Sequence, residues 1–265
     1  MEYNDLISGL EKYGSSKEKL CEKFIGVPKE KISKNVIIAP WWDPMSFPAY
    51  QDAEKIGGSD FTAVTAWKID DITYIKTGIG APCLMDVVLA LGTADVEKLV
   101  FLGSVGALDK DMQIGDVVVP LYSVAGDGAS RYISGNCLKD TDVLGEEVYP
   151  DTTLNQKLKE ITERVCKESG IKCHEGKAYA TDSIFAQFAH IDEIINFGCN
   201  CIEMETAAAF RAAKIANVKM TALFVVSDST VAKKSFVSGR EENEIARYRS
   251  SRKDLFPKIL HELFK

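Results

Sequence analysis

The chain has no apolar run approaching the roughly 18 residues that a membrane-crossing helix needs, so a spanning protein is not expected. Its start, Met1 to Tyr13, scatters Glu2, Asp5, Glu11 and Lys12 among apolar residues and lacks the basic-then-apolar order of a secretory leader. Positive charge is scarce: 32 Lys and Arg against 39 Asp and Glu leave a net charge of -7. That balance argues against a nucleic-acid surface and supplies no basic stripe for anionic lipid, so any phosphate must be held by a local pocket. Regular cysteine spacing is missing too. The seven cysteines are an odd number, and Cys199-Asn200-Cys201 is too tight for a zinc knuckle with a two-residue spacer. His174 and His190 have no partner at metal-ligand spacing. The expectation is a protein without bound metal, with reduced thiols in a cytoplasmic setting. No internal repeat, low-complexity linker or second-domain boundary interrupts the chain.

What is present fits one α/β domain. The 265 residues, 46% hydrophobic and 27% charged, are enough to bury a large core. Residues 1–30 read as an N-terminal helical appendage, whose second helix opens at Ser15 with Glu18 at capping-box spacing; residues 31–265 form the body. Strand-like runs occur at Val36 to Ala39, Leu99 to Leu102, Asp116 to Ala125 and Met220 to Val226, with a hairpin pair at Phe61 to Trp67 and Ile72 to Lys76. Residues 136–151 read as a loop. A helix opened by Thr153 and Gln156 follows, with Leu154, Leu158, Ile161 and Val165 as its buried stripe. Thr206 to Ala216 is an alanine-rich helix, and 241–264 a final covering helix that Pro257 is expected to break. This alternation predicts a three-layer α/β/α sandwich around a mixed β-sheet.

Three acids stand out. Glu203 and Glu205 interrupt an apolar entry into the alanine-rich helix, and Asp228 closes the last strand-like run. Open α/β sheets bind ligands at the carboxyl ends of their strands. An apolar wall of Leu223 to Val226 favours the neutral, proton-donating form of Asp228.

The segment Ile202-Glu203-Met204-Glu205-Thr206-Ala207-Ala208, followed by Val226-Ser227-Asp228, resembles the nucleoside phosphorylase/nucleosidase superfamily of purine nucleoside phosphorylase, uridine phosphorylase and methylthioadenosine nucleosidase. Three further stretches agree in order. They are Thr77-Gly78-Ile79-Gly80-Ala81-Pro82, Gly103-Ser104-Val105-Gly106-Ala107-Leu108 with Gly115-Asp116-Val117-Val118, and Asp127-Gly128-Ala129-Ser130. The resemblance implies a partly barrel-like sheet, a homo-oligomer (dimer or hexamer), and cleavage of a nucleoside's N-glycosidic bond without an organic cofactor. Inorganic phosphate would be the co-substrate.

In these terms Asp228 protonates the purine at N7, with Ser227 beside the base and Ile184 and Phe185 offering it an apolar face. Glu205 accepts the ribose 2′ and 3′ hydroxyls, Met204 packs beneath the sugar and Glu203 supports them. Ser104, Gly80 and Arg131 are the candidate phosphate ligands. Two departures matter. The family's Gly-Asp-Pro-x-Arg turn reads Trp42-Asp43-Pro44-Met45-Ser46 here, and the arginine expected three residues before Ser104 is Phe101. Phosphorolysis with a rearranged phosphate site is the leading expectation. The alternatives are hydrolysis with Asp43 or another acid activating water, and a nucleoside-binding protein without turnover.

Overall fold

Two long strands, largely apolar and largely buried, form the spine of the molecule. A computed structural model describes residues 1–59 and 62–265; Asp60 and Phe61, the first of which precedes and the second of which begins the expected hairpin, lie outside the described residues. The elements in chain order are α1 (Tyr3–Lys12), α2 (Leu20–Ile25), β1 (Asn35–Ala39), β2 (Glu54–Ser59), β3 (Val64–Ile69), β4 (Ile72–Lys76), α3 (Ala81–Leu91), β5 (Lys98–Ala107) and β6 (Val117–Gly126). They continue as α4 (Arg131–Ser134), β7 (Glu147–Val148), α5 (Thr152–Glu168), β8 (Cys173–Thr181), α6 (Ile191–Asn196), β9 (Cys201–Glu203), α7 (Thr206–Ile215), β10 (Met220–Ser229) and α8 (Glu242–Phe264).

β5 and β10 pair in parallel, from Leu99 opposite Met220 to Ala107 opposite Ser229. β10 also pairs with β6, β6 with β8, β8 with β9, and β9 returns to β5, so five strands close on themselves. From β5 the sheet continues outward through β1, β4, β3 and β2. The class is therefore the expected mixed α/β one, with a barrel-like closure within the sheet.

Alternation along the strands explains the layers. Ile38, Phe101 and Phe224 join Ile7, Ile25, Leu84, Val88, Ala209 and Ala213 in a core beneath α1, α2, α3 and α7. Ile37, Val100, Leu223 and Val225 face the other way, towards Leu158 and Ile161 of α5 and Leu255 and Ile259 of α8. The helices thus lie on both sides of the sheet.

Local signals were overridden in three places. The second helix is preceded by a 3₁₀ turn after Ser16, whose side chain makes no cap, and α5 is capped by Asp151, which accepts the Leu154 N–H at 2.8 Å. α8 runs unbroken through Pro257. An interior proline costs about 3 kcal/mol. Leu255, Phe256, Ile259 and Leu260, each at most 3% exposed, gain about 1.5–3 kcal/mol apiece on burial and outweigh it. The first thirty residues are packed onto α3: Tyr3 Oη donates to the Leu89 carbonyl at 2.6 Å and Cys21 Sγ to that of Ala90 at 3.2 Å.

Candidate active site

A bulge sets the position of the last acid. The β5–β10 register shifts between Val226 and Asp228, which makes Ser227 the extra residue and brings Asp228 opposite Gly106. Ser227 Oγ donates to Asp228 Oδ1 at 2.6 Å, and the Phe236 N–H reaches Oδ2 at 3.2 Å. Burial raises the Asp228 carboxyl above the ordinary aspartate range; those two donors and the Arg240 charge pull it part of the way back. A methyl group at Gly106 would stand 3.5 Å from Oδ2. It would also meet Ile202 Cγ2 at 3.2 Å, so a side chain at 106 would crowd the acid.

The pair Glu203 and Glu205 stands just before α7, Glu203 ending β9 and Glu205 at the helix N-cap. Glu203, 5% exposed, accepts the N–H groups of Glu205 and Thr206 and the Thr206 hydroxyl, each at 2.8 Å, and the Ser123 hydroxyl at 3.3 Å. It satisfies the donors of a helix N-terminus, where a negative charge is favoured. Glu205 has less support: its Oε1 accepts the Gly80 N–H at 2.7 Å. Burial pushes both carboxyls up, and the four donors on Glu203 pull that one back. Glu205, buried beside a negative neighbour, is pushed up to about 8.

Asp228, Ser227, Glu205, Met204, Glu203 and Ser104 line one cavity of about 520 Å³. This size suits a nucleoside-scale ligand. Gly80, at a φ of +111° where a glycine is favoured, reaches the cavity through its bond to Glu205, while its neighbour Ile79 lines the wall. Ser104 Oγ lies 3.0 Å from the hydroxyl of Tyr248 on α8.

Other expected positions are not brought in. Phe185 is 93% exposed and does not line the cavity; Ile184 and Phe188 do, because the 3₁₀ turn over Ala186–Ala189 points position 188 inward. Arg131 opens the short α4 on the surface, outside the cavity, behind a turn in which Asp127 accepts the Ser130 N–H at 2.7 Å. Asp43 is paired with Lys76 at 3.1 Å and likewise lies outside it. Phe101 is 1% exposed and packs edge-on against Phe224 at 6.0 Å, so its position faces the core.

Sequence reasoning assigned no role to Trp41, Trp42, Phe236, Arg240 and Tyr248, which complete the wall. Arg240, the one cation lining the cavity among the described residues, donates to the Ser227 carbonyl at 2.8 Å. The only available hint was the apolar stripe of α8, on which Tyr248 sits one turn before Arg252. Among the described residues no three His, Cys, Asp or Glu side chains gather as a metal site.

Known proteins of similar sequence are nucleoside phosphorylases. The chain is 26% identical over 158 residues to a DeoD-type purine nucleoside phosphorylase of Anoxybacillus flavithermus, covering 59% of this chain and 63% of that one. It is 28% identical over 166 residues to a guanosine phosphorylase of Halorubrum lacusprofundi, covering 61% and 63%. The match thus spans a little under two thirds of these relatives' length.

In fold, the chain is similar to an AMP nucleosidase from Bacteroides thetaiotaomicron, with a TM-score of 0.66 and 14% identity over 93% of this chain and 96% of that one. It is also similar to a uridine phosphorylase from Vibrio fischeri, at 0.69 and 18% over 95% and 98%. The description of the phosphorylase superfamily matches residues 46–254, from the turn after β1 into α8, and the chain belongs to that superfamily.

Proposed function

We propose that this protein cleaves the N-glycosidic bond of purine nucleosides by phosphorolysis. One observation carries the reading: Asp228 at the tip of the last core strand and Glu205 at the start of α7 open into the same cavity. Glycosidic cleavage leaves positive character on the sugar and negative charge on the departing base. Asp228, held towards its neutral form by burial, suits proton donation to the purine N7. Glu205 suits the ribose hydroxyls in its ionised form, since a carboxylate accepts two O–H donors, and Met204 packs beneath the ring. A phosphate oxygen bonds to the anomeric carbon as the glycosidic bond breaks. The electron pair of that bond passes to the purine, and the proton of Asp228 follows to N7. Free base and ribose 1-phosphate leave.

The similarity to purine nucleoside and guanosine phosphorylases supports the purine, as does an acid held towards its neutral form in the cavity, because N7 is an atom that uracil lacks. Phosphate is the co-substrate in this reading and no organic cofactor enters. Exposed Trp41 and Phe236 on the cavity wall, and exposed Phe185 next in the chain to Ile184 of that wall, support assembly into a homo-oligomer. No helix among the described residues is long and apolar enough to cross a membrane.

Hydrolysis is the second reading, favoured by one observation: Ser46 and Phe101 stand where the family resemblance expects arginines. The ion pair of Asp43 with Lys76 argues against Asp43 as the base for water. Incubating the protein with inosine, adenosine and methylthioadenosine, with and without phosphate, separates the readings. Phosphate-dependent base release is expected. Equal release without phosphate supports hydrolysis, and no release in either condition contradicts both.

A further inference from the structure

Arg252 is a buried cation without a buried anion. It sits on α8, is 7% exposed, and its Nε has no hydrogen-bond partner. Its neighbour Arg247, about one turn earlier, is paired with Asp116 at 2.6 Å. No carboxylate pairs with Arg252 among the described residues. Its guanidinium lies instead against three rings, 4.6 Å from Trp42, 5.5 Å from Phe47 and 5.9 Å from Tyr248. Ring faces offset part of the cost of removing a cation from water, but an unpartnered buried donor still calls for an explanation, commonly an ion or water at the site. Burial lowers its pKa, so the environment works against the bare charge.

The location gives that explanation. Trp42 and Tyr248, two of the three rings around the guanidinium, also line the cavity, and the Tyr248 hydroxyl lies 3.0 Å from Ser104 Oγ. Ser46, in the turn from which the family resemblance expects an arginine, has a buried Oγ with no partner, and its chain neighbour Phe47 is the third ring. This turn carries Ser46 and Trp42 where the resemblance implies an arginine and a glycine, and a guanidinium from α8 stacks on that same tryptophan. Tyrosine and serine hydroxyls can each turn a donor towards an oxyanion, and a positive charge behind the phenol strengthens that donation.

We propose that Arg252, acting through Tyr248 and Ser104, supplies the charge of an oxyanion site for inorganic phosphate at the Leu102 to Ser104 end of the cavity. Arg252 is a positioning residue in this account, because it reaches the anion through Tyr248. The proposal rests on the phosphorolytic reading above and names the device that replaces the arginine fork.

Calorimetric titration of inorganic phosphate into the full chain, without nucleoside, tests it. The wild-type protein is expected to bind. Tyr248→Phe keeps the ring and removes the hydroxyl; it should weaken phosphate about 10-fold, and Arg252→Met about 10- to 100-fold, the scale for losing a charge-assisted hydrogen bond. In turnover, KM for phosphate should rise alike while KM for the nucleoside stays put, a split that mere loss of packing does not produce. Arg252→Lys should recover part of the affinity.

If Arg252→Met fails to fold, the Tyr248→Phe titration decides alone. Wild-type phosphate affinity in both variants overturns the proposal, even with lowered melting temperatures, and so does a wild-type protein that binds no phosphate. A parallel titration with a nucleoside 5′-monophosphate separates the two sources of such an anion. If only the nucleotide's affinity falls in the variants, the assignment to inorganic phosphate is overturned. The titration needs no turnover, so phosphate-independent base release would sink phosphorolysis alone, whereas unaltered phosphate affinity in both variants would sink this site alone.

Discussion

The two ends of the cavity are built on opposite principles. At the end with the acids, carboxyls sit on strand and helix termini with their partners already in place: Asp228 accepts Ser227 and Phe236, Glu203 accepts four donors and Glu205 accepts Gly80. At the other end a hydroxyl pair, Ser104 and Tyr248, is backed by aromatic rings and by an arginine with no anion. In the proposed reading the first end is preorganised for neutral hydroxyls and a base. The second holds a charge with no anion beside it, which the proposed phosphate would balance, and there the chain departs from the pattern the resemblance implies. Preorganised groups act where charge develops in the reaction, so damage to the first end should fall on the chemistry, and damage to the second on anion affinity.

The largest effect expected at the acid end is from Asp228→Asn, which should lower purine release from inosine about 100-fold or more, the usual scale for a general acid; steady-state turnover at saturating phosphate measures it. Next comes Glu205→Gln, which should weaken ribosides about 10- to 100-fold through lost charge-assisted hydrogen bonds, with little change for 2′,3′-dideoxyribosides. Equal losses on both would remove Glu205 from sugar binding.

The same residue gives a pH signature. With its carboxyl pushed up to about 8, riboside affinity should rise with pH towards that value, by at most about tenfold per unit, and be flat in Glu205→Gln. The sign for stability is opposite. A carboxyl raised by burial contributes stability that is full below the ordinary glutamate range and is lost as pH rises through about 8. Melting curves of the empty protein between pH 5 and 9, roughly spanning that interval, read this, and Glu205→Gln should flatten the slope.

Smaller effects belong to residues that hold the elements in place. Glu203→Gln leaves a buried donor at the start of α7 poorly satisfied and should cost about 1–3 kcal/mol in denaturant unfolding. Asp151→Ala removes the α5 cap and should cost about 1 kcal/mol with turnover unchanged, since Asp151 lies outside the cavity.

The acid end was also the legible one. Runs such as Leu99 to Leu102 and Met220 to Val226 are apolar on both faces because both faces are buried, and an acid following such a run has little else to do. The strand β9 is three residues long, too short for any periodic signal, and β2 is an edge strand with Gly57 and Gly58 whose pairing is set by β3 alone. Phe185 and Phe188 are equally aromatic, and only the sense of a 3₁₀ turn decides which faces the cavity. Tyr248 and Arg252 share the buried face of α8 with Leu255 and Ile259. Which sheet strands that face meets is a tertiary fact, so the partner of Ser104 could not be read in advance.

The central claim is that Asp228 delivers a proton to the departing purine. The most direct measurement compares Asp228→Asn with wild type on inosine and on 7-methylinosine, whose base already carries positive charge and needs no proton. The account predicts a loss of about 100-fold on inosine and near wild-type turnover on 7-methylinosine. Equal losses on the two substrates would contradict it.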